Sequence, residues 1–548
     1  MVAAVVRNRA DSTCHSGRHI YGLPTIRELS LNATPLSRLK NALRCIRPPR
    51  KRKKCVYHQN MRIQSSTACR LLACAAFLTE ARAQDWPGFR GPNSAGVFPV
   101  ATKLPAQFDA STLAWSAKVP FGRSSPVAAA GQVILSATEG DLLLVLAFDA
   151  RTGKLRWRYT RTRMRQNEID GKRNDPASST PFVDSTGIYA FFPDFGLVAL
   201  DPRKGTLLWE LALGPFINNY GMASSPVVAG ETLFLQIDQT AGSYLLAVNR
   251  RTGVVRWKTE RRATIEGWCT PILTPRGEVV ALSSNGLEAF SAETGEQRWL
   301  VPAPNSLMIP VPLLLNRDHI IAVIRGSAAP VFPDWQATLR ELDTDGDGNL
   351  VPLELVKRYD IESFGIVDSN RDGIITEPEW NAFAARGVGE FGFTSVRLSD
   401  QKVLWRYTRS IPYIPSPILY QGVLYSVRSG GILLALDPET GVMIKEARLP
   451  EAPGEYFASL IAGDGKVYAA SAEGKITVIR PGHPWEAVAS FDLGDSLVAT
   501  PALGAGVMFV RTGGQLRAYR AAADRQRKQT GSGPRRPPTS AHPANAAQ

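Results

Sequence analysis

Ala147-Phe148-Asp149-Ala150-Arg151-Thr152-Gly153-Lys154-Leu155-Arg156-Trp157 is the stretch on which the fold turns, because its pattern recurs along the chain. It returns as Ala199-Leu-Asp201…Gly205…Trp209, as Ala247-Val-Asn249…Thr252-Gly253…Trp257, and as Ala289-Phe-Ser291…Thr294-Gly295…Trp299. A further copy, Ala435-Leu-Asp437…Thr440-Gly441, carries Lys445 in place of the Trp, and a worn copy ends at Trp405. The apolar–polar alternation ahead of the Asp reads as a strand. Asp or Asn followed by Thr-Gly reads as a tight hairpin, in which the Asx side chain bonds the turn backbone and Gly supplies φ > 0. A second strand follows and carries the Trp. Upstream of each copy lies another hairpin, such as Ser225-Pro-Val-Val-Ala-Gly230-Glu-Thr-Leu-Phe-Leu235. One unit is therefore four antiparallel strands in about 43 residues, the signature of a propeller blade.

The first strands begin near Pro126, Pro181, Pro226, Pro271, Pro312, Pro417, Leu460 and Pro501, which makes eight blades. The last one stops at Leu516-Arg-Ala-Tyr519 without its Trp-bearing strand, while Leu113-Ala-Trp115-Ser-Ala-Lys-Val119 stands alone before the first. The early strand is expected to complete the last blade and so remove two exposed sheet edges. A solenoid of the same period would instead want capping repeats at its ends. The tryptophans are expected as wedges between blades rather than as a stacking site. The fold class is thus all-β, an eight-bladed propeller closed by its N-terminal strand.

Blade five is too long. Pro312 to Pro417 spans 105 residues, about 62 more than one repeat, and the excess contains two acidic loops. The first is Asp343-Thr-Asp345-Gly-Asp347-Gly348-Asn349-Leu350-Val-Pro-Leu-Glu354, and the second Asp368-Ser-Asn370-Arg-Asp372-Gly373-Ile374-Ile375-Thr376-Glu-Pro-Glu379. Both match the twelve-residue EF-hand loop. Side-chain oxygens at positions 1, 3 and 5 come from Asp343, Asp345 and Asp347, and from Asp368, Asn370 and Asp372. Gly348 and Gly373 make the turn, Asn349 and Ile374 offer backbone carbonyls, and Glu354 and Glu379 close the sphere with a bidentate carboxylate. Val351 leaves position 9 of the first loop to water, whereas Thr376 can contribute in the second. Leu350 and Ile375 are expected to pair the loops by a short β-bridge. Helices are expected over 334–342 and 378–384. The pair falls between strands Ile320–Ile324 and Phe393–Val396, on the face where each first strand begins, so it is expected to overhang the axial funnel. Calcium as a structural staple is the expected role, with affinity near ~10⁻⁴–10⁻³ M, as in extracellular modules.

The formal charge of +15 is an effect of the chain ends. Residues 1–83 hold 16 Lys+Arg against 3 Asp+Glu, which leaves 48 against 46 for the rest, and the tail from Ala521 carries +4 of its own. A near-neutral body argues against nucleic acid as a partner. From Met61, Arg62 and Arg70 precede the apolar run Leu71–Leu78 and then Ala81-Arg-Ala83, the pattern of a signal peptide cleaved near Ala83. Periplasmic or secreted location follows. Cys74 would be the acceptor if the chain were a lipoprotein, but Arg70 leaves it little apolar lead. Five of six cysteines lie before that point, so Cys269 alone remains, as a small buried residue in a strand, and neither an intrachain disulfide nor a Cys-based zinc site is available. The organisation expected is 1–60 a spurious or disordered extension, 61–83 a signal peptide, 84–520 the propeller, 327–390 the EF-hand pair and 521–548 a disordered tail.

The spacing Ala-x-Asp-x-x-Thr-Gly-x-x-x-Trp resembles the tryptophan-docking repeat of the pyrroloquinoline-quinone-like propeller family, which includes quinoprotein alcohol dehydrogenases and an outer-membrane assembly lipoprotein. The opening Asp85-Trp86-Pro-Gly-Phe89-Arg90-Gly-Pro92-Asn93 and the later Asn219-Tyr220-Gly-Met-Ala-Ser-Ser-Pro226 are similar to an exported bacterial branch. The resemblance implies the fold over residues 85–520 apart from the insertion. For the dehydrogenases it also implies an adjacent cysteine pair and a Glu, Asn and Asp set around a cofactor calcium, neither of which has a counterpart placed here.

Only His319 and His483 lie in the body, both in turn-like settings, which argues against a Ser-His-Asp site or a His-based metal site. The loops entering the first strands would line the funnel, with Arg123, Arg173, Asn174, Asp175, Asn218, Asn219, Tyr220, Glu266 and Trp268 as candidates. Arginines and amides there suit an anionic ligand such as pyrroloquinoline quinone; the plainer alternative is that they satisfy one another. The function expected is an extracytoplasmic calcium-binding propeller, monomeric and without a transmembrane segment, that engages a protein or surface polymer. The alternatives are a quinone- and calcium-dependent dehydrogenase and an outer-membrane assembly-type propeller.

Overall fold

The computed structural model describes residues 85–99, 101–166, 174–240, 242–261, 266–303, 308–325, 333–355, 367–368, 372–386 and 391–522. The expected extension, signal peptide and most of the tail lie outside these residues. The strands form eight four-stranded antiparallel sheets. Seven use consecutive strands. In the eighth, strand Leu113–Lys118 pairs with Gln515–Arg520, placing Trp115 opposite Ala518. The wheel is closed by its own first strand, as the repeat phase predicts. All eight first strands start one residue after the expected positions, seven of them prolines and one Leu460, from Val127–Ala129 to Ala502–Gly504.

The alternation within each blade explains its burial. Inner strands such as Ile188–Phe192 and Gly196–Leu200 are wholly buried, because a neighbouring blade covers each face. Outer strands such as Val255–Glu260 alternate between exposed and half-buried positions. On five outer strands the Trp then lies on the glycine hairpin of the next blade. Trp115 faces Gly153, Trp157 faces Gly205, Trp209 faces Gly253, Trp257 faces Gly295 and Trp405 faces Gly441. At Gly205, with φ +68, a Cβ would fall 2.3 Å from the Trp157 ring, so glycine is required on both steric counts. Where Lys445 replaces the Trp, its ammonium sits 4.1 Å from the Trp485 ring centroid and donates to the Trp485 carbonyl at 2.9 Å.

A second lock encircles the axis. The backbone N–H of Ser125 donates to Thr180 Oγ1 at 3.0 Å, Thr180 to Ser225 Oγ at 3.0 Å, and Ser225 to Thr270 Oγ1 at 3.1 Å. Val311 donates to Ser416 Oγ, Ser416 to Ser459 Oγ and Ser459 to Thr500 Oγ1, each at 3.0 Å, and Thr500 returns to Ser125 Oγ at 3.1 Å. These residues stand at the heads of the inner strands. The ring misses one hydroxyl, at Val311, which has no oxygen to offer Thr270. At the same boundary the hairpin of blade five holds Gln401, at φ 57, in place of the glycine, and Trp299 of blade four donates to Glu278 of its own blade at 3.1 Å. Val311→Thr, nearly isosteric, should therefore stabilise the protein by about 0.5–1.5 kcal/mol. A chemical unfolding curve reads this, and an unchanged or lower midpoint would mean that the ring contributes nothing there.

The opening segment Asp85–Phe98 is a plug across the inner strands. Trp86 and Ala128 exchange backbone hydrogen bonds at 2.6 and 2.9 Å, and Val183 N–H donates to the Pro87 carbonyl at 2.7 Å. Asn93 bonds both backbone groups of Leu273 at 3.0 Å, and Phe98 N–H donates to Ala462 O at 2.8 Å. One short segment thus touches blades one, two, four and seven. Two expectations need correction. Cys269 is fully buried but precedes strand Ile272–Leu273, and His319 opens strand His319–Ile324 rather than lying in a turn.

Candidate functional site

The insertion leaves blade five between His319–Ile324 and Gly392–Arg397, as expected. Asp334 caps helix Trp335–Leu342 by accepting the Ala337 N–H at 3.0 Å. The helix ends at Asp343, the first residue of the first loop. A short helix, Pro352–Leu355, carries Glu354, and helix Glu377–Arg386 carries Glu379. Leu350 and Ile375 exchange backbone hydrogen bonds at 3.1 and 2.8 Å, which is the expected bridge. A small core of Trp335, Leu342, Leu350, Leu355, Val367, Ile375 and Trp380 holds the pair together.

In the first loop, Asp343 Oδ2 accepts the Gly348 N–H at 3.0 Å, and Asn349 N–H donates to Asp347 Oδ1 at 2.8 Å. Glu354, although buried, faces inward and accepts Thr344 N–H at 2.7 Å and Val351 N–H at 3.1 Å. Carboxylate oxygens of Asp343, Asp345 and Glu354 all lie within 4.8 Å of one another, the one such acidic grouping among the described residues. Desolvation is the largest single influence on Asp343 and Glu354 and raises both, but the hydrogen bonds they accept together hold each below the ordinary carboxylate range. The second loop repeats the arrangement: Gly373 N–H donates to Asp368 Oδ2 at 3.0 Å and Ile374 N–H to Asp372 Oδ1 at 2.9 Å. Thr376 donates to Glu379 from both its N–H, at 3.0 Å, and its hydroxyl, at 2.8 Å. Asn370 lies outside the described residues. This donor set fits a hard cation with oxygen ligands.

The second site is an axial cavity of about 460 Å³. It is lined by Phe89 of the plug, by Tyr220, Trp268, Tyr413 and Phe457, and by the seven ring hydroxyls. Among the expected funnel residues, Arg123, Asn174, Tyr220 and Trp268 line it. Glu266 does not. It accepts Asn219 N–H at 2.8 Å and the Thr240 hydroxyl at 2.7 Å, behind the wall. Asp175 and Asn218 are buried, and Arg173 lies outside the described residues. The lining residues also brace one another: Arg123 pairs with Asp175 at 3.8 Å, and Trp268 Nε1 donates to Gly221 O at 2.7 Å. Arg325, at the root of the insertion, stacks 4.8 Å from the Tyr413 ring centroid, so the EF-hand pair departs from the cavity rim. None of its described residues lines the cavity.

The residues present do not fit a calcium-supported quinone. Glu455 is the one carboxylate lining the cavity among the described residues, where a calcium site wants several oxygen ligands. Cys269 is alone, and burial pushes its thiol up to about 12.

Behind Trp268 lies a buried ionic cluster that the sequence reading missed. Arg261 bonds both Asp238 and Glu288, and Gln236 Nε2 donates to Asp238 at 2.6 Å. The three charged groups come from two blades, so no local pattern announces them. Desolvation pushes Asp238 up to about 6 despite Arg261. Between that value and the usual carboxylate range near 4, the folded chain holds a proton the unfolded chain lacks, so this group adds stability as pH falls through 6. Wild-type stability should therefore rise relative to Asp238→Asn between pH 7 and 4.5. A pH-independent difference between the two unfolding curves would contradict this.

A family model described as outer membrane protein assembly factor BamB matches residues 106–301 and 392–537, and an EF-hand model matches 361–384. No curated protein matches the chain. Solved structures with the same fold include a europium-containing methanol dehydrogenase, 9% identical, with 81% of this chain and 100% of that one covered at a TM-score of 0.54. BamB from Moraxella catarrhalis is 10% identical, with 75% and 97% covered at 0.49. Quinohemoprotein alcohol dehydrogenase from Comamonas testosteroni is 14% identical, with 83% and 84% covered at 0.49. Identities this low speak to fold alone.

Proposed function

We propose, because the chain belongs to the family described as outer membrane protein assembly factor BamB, that it is an extracytoplasmic binding or scaffold propeller with a calcium-stapled EF-hand pair at the rim of its axial cavity. The observation that carries this reading is the division of chemistry between the two sites. Carboxylates converge in the insertion, whereas the cavity offers aromatic rings, hydroxyls and one carboxylate. Asp343, Asp345, Asp347, the Asn349 carbonyl and Glu354 would hold one ion, and Asp368, Asn370, Asp372, the Ile374 carbonyl, Thr376 and Glu379 the other. Calcium would screen carboxylates that otherwise repel one another and tie both helices to the bridge. The cavity face, with Phe121 and Ile217 exposed on its approach loops, would receive the partner, a protein or a surface polymer.

Terbium added to calcium-free protein should give emission sensitised by Trp335 and Trp380, and excess calcium should quench it. Silent terbium would sink the calcium reading. Mixing the protein with pyrroloquinoline quinone and calcium should give no dye reduction with alcohols or sugars; turnover would replace the binding reading with a dehydrogenase. Co-purification with outer-membrane proteins would specify an assembly role.

A further inference from the structure

We propose that the axial channel contains a buried anion site between the Arg90 guanidinium and the hydroxyls at the heads of the inner strands. Arg90 is wholly buried within the plug. Its Nη2 donates to the Pro417 carbonyl, while Nε and Nη1 have no acceptor among the described residues. The guanidinium stands at the axis, because groups from three blades surround it. Pro417 belongs to blade six. A Cβ on Gly96 would meet both Arg90 Nη2, at 2.9 Å, and the Leu460 carbonyl of blade seven, at 3.0 Å. Cys269, which acts on Arg90 electrostatically, belongs to blade four.

Each of these neighbours adjoins a ring hydroxyl: Cys269 precedes Thr270, Pro417 follows Ser416 and Leu460 follows Ser459. Those three oxygens already accept a backbone N–H from the preceding blade. Their own O–H groups donate to no acceptor among the described residues, so they remain available to a ligand. The Cys269 thiol stays protonated at neutral pH, and burial lowers Arg90 only to about 9, so a full positive charge sits in the channel without a carboxylate acting on it. An isolated buried charge of this kind is costly unless it is neutralised. Guanidinium N–H groups on one side and hydroxyl donors on the other match an anion and would repel a cation. Phe89, beside Arg90 in sequence, lines the same axial cavity as those hydroxyls. The inference goes beyond the calcium and partner reading and does not depend on it.

Crystals of the mature protein soaked in sodium bromide, measured at the bromine edge, test it. The expected result is an anomalous peak within hydrogen-bonding reach of Arg90 Nε or Nη1. A water there without anomalous signal, or a peak only in the outer cavity, overturns the proposal. In solution, replacing gluconate by bromide at constant ionic strength should raise the thermal midpoint saturably, and Arg90→Met should abolish that response. If that variant does not fold, Ser416→Ala should move the bromide concentration at half-effect about tenfold higher, and an unmoved half-effect would overturn the proposal equally.

Discussion

Trp115→Ala should lower the unfolding free energy by about 3–5 kcal/mol, the usual cost of emptying a buried indole site. Trp115 packs on Gly153, lies 6.0 Å from the Phe509 ring centroid, and donates from Nε1 to the Ala150 carbonyl at 3.1 Å. It stands on the one outer strand that is not continuous with its own blade. Here the loss also loosens closure, since Leu113–Lys118 is the strand that pairs with Gln515–Arg520 and completes the last blade. A chain beginning at Val119 should go further and associate through the open edge of Gln515–Arg520. Denaturant unfolding of the variant and light scattering of the truncated chain check both. A truncated chain that remains monomeric with an unchanged midpoint would mean that the early strand is ornamental.

Glu354→Gln together with Glu379→Gln should remove calcium binding, each change weakening its loop by about 100-fold or more, at the upper end of what the loss of a supporting group costs. These glutamates would supply the bidentate carboxylate under the proposed reading, and both are buried, facing their loops. The insertion has only a small core, so the ion is expected to supply much of its order. At a hundredfold excess over Kd, calcium should add about 2.7 kcal/mol per loop. Chelation should therefore expose Trp335 and Trp380, seen as a red shift in their emission, while the far-ultraviolet signal of the wheel stays unchanged. A red shift in the double variant equal to that of chelated wild type, and unresponsive to calcium, is the expected outcome. A variant that still responds to calcium would place the ion elsewhere.

The wheel was legible in the sequence because each blade is local. Asp149, Gly153 and Trp157 stand within one hairpin, and the phase between Trp115 and Trp157 reveals the split blade. The twin loops were legible for the same reason, their oxygen-bearing residues falling within twelve positions. What escaped was whatever the closed ring assembles from afar. Arg511 donates to Ser124 and Ser136 from across the closure, and Arg90 reaches Pro417 over 327 residues. The hydroxyl ring did leave a trace, a Ser or Thr before most of the blade-opening prolines. That trace gains meaning only once neighbouring strand heads are known to touch. Glu266 shows the converse limit: the loop was rightly placed beside the funnel, but the side chain turned to brace Asn219 instead.

Calorimetric titration of the metal-free mature protein with calcium tests the central claim most directly. The account predicts two ions per chain, lost in the Glu354→Gln, Glu379→Gln double variant. No heat of binding, or an equal stoichiometry in that variant, would contradict it.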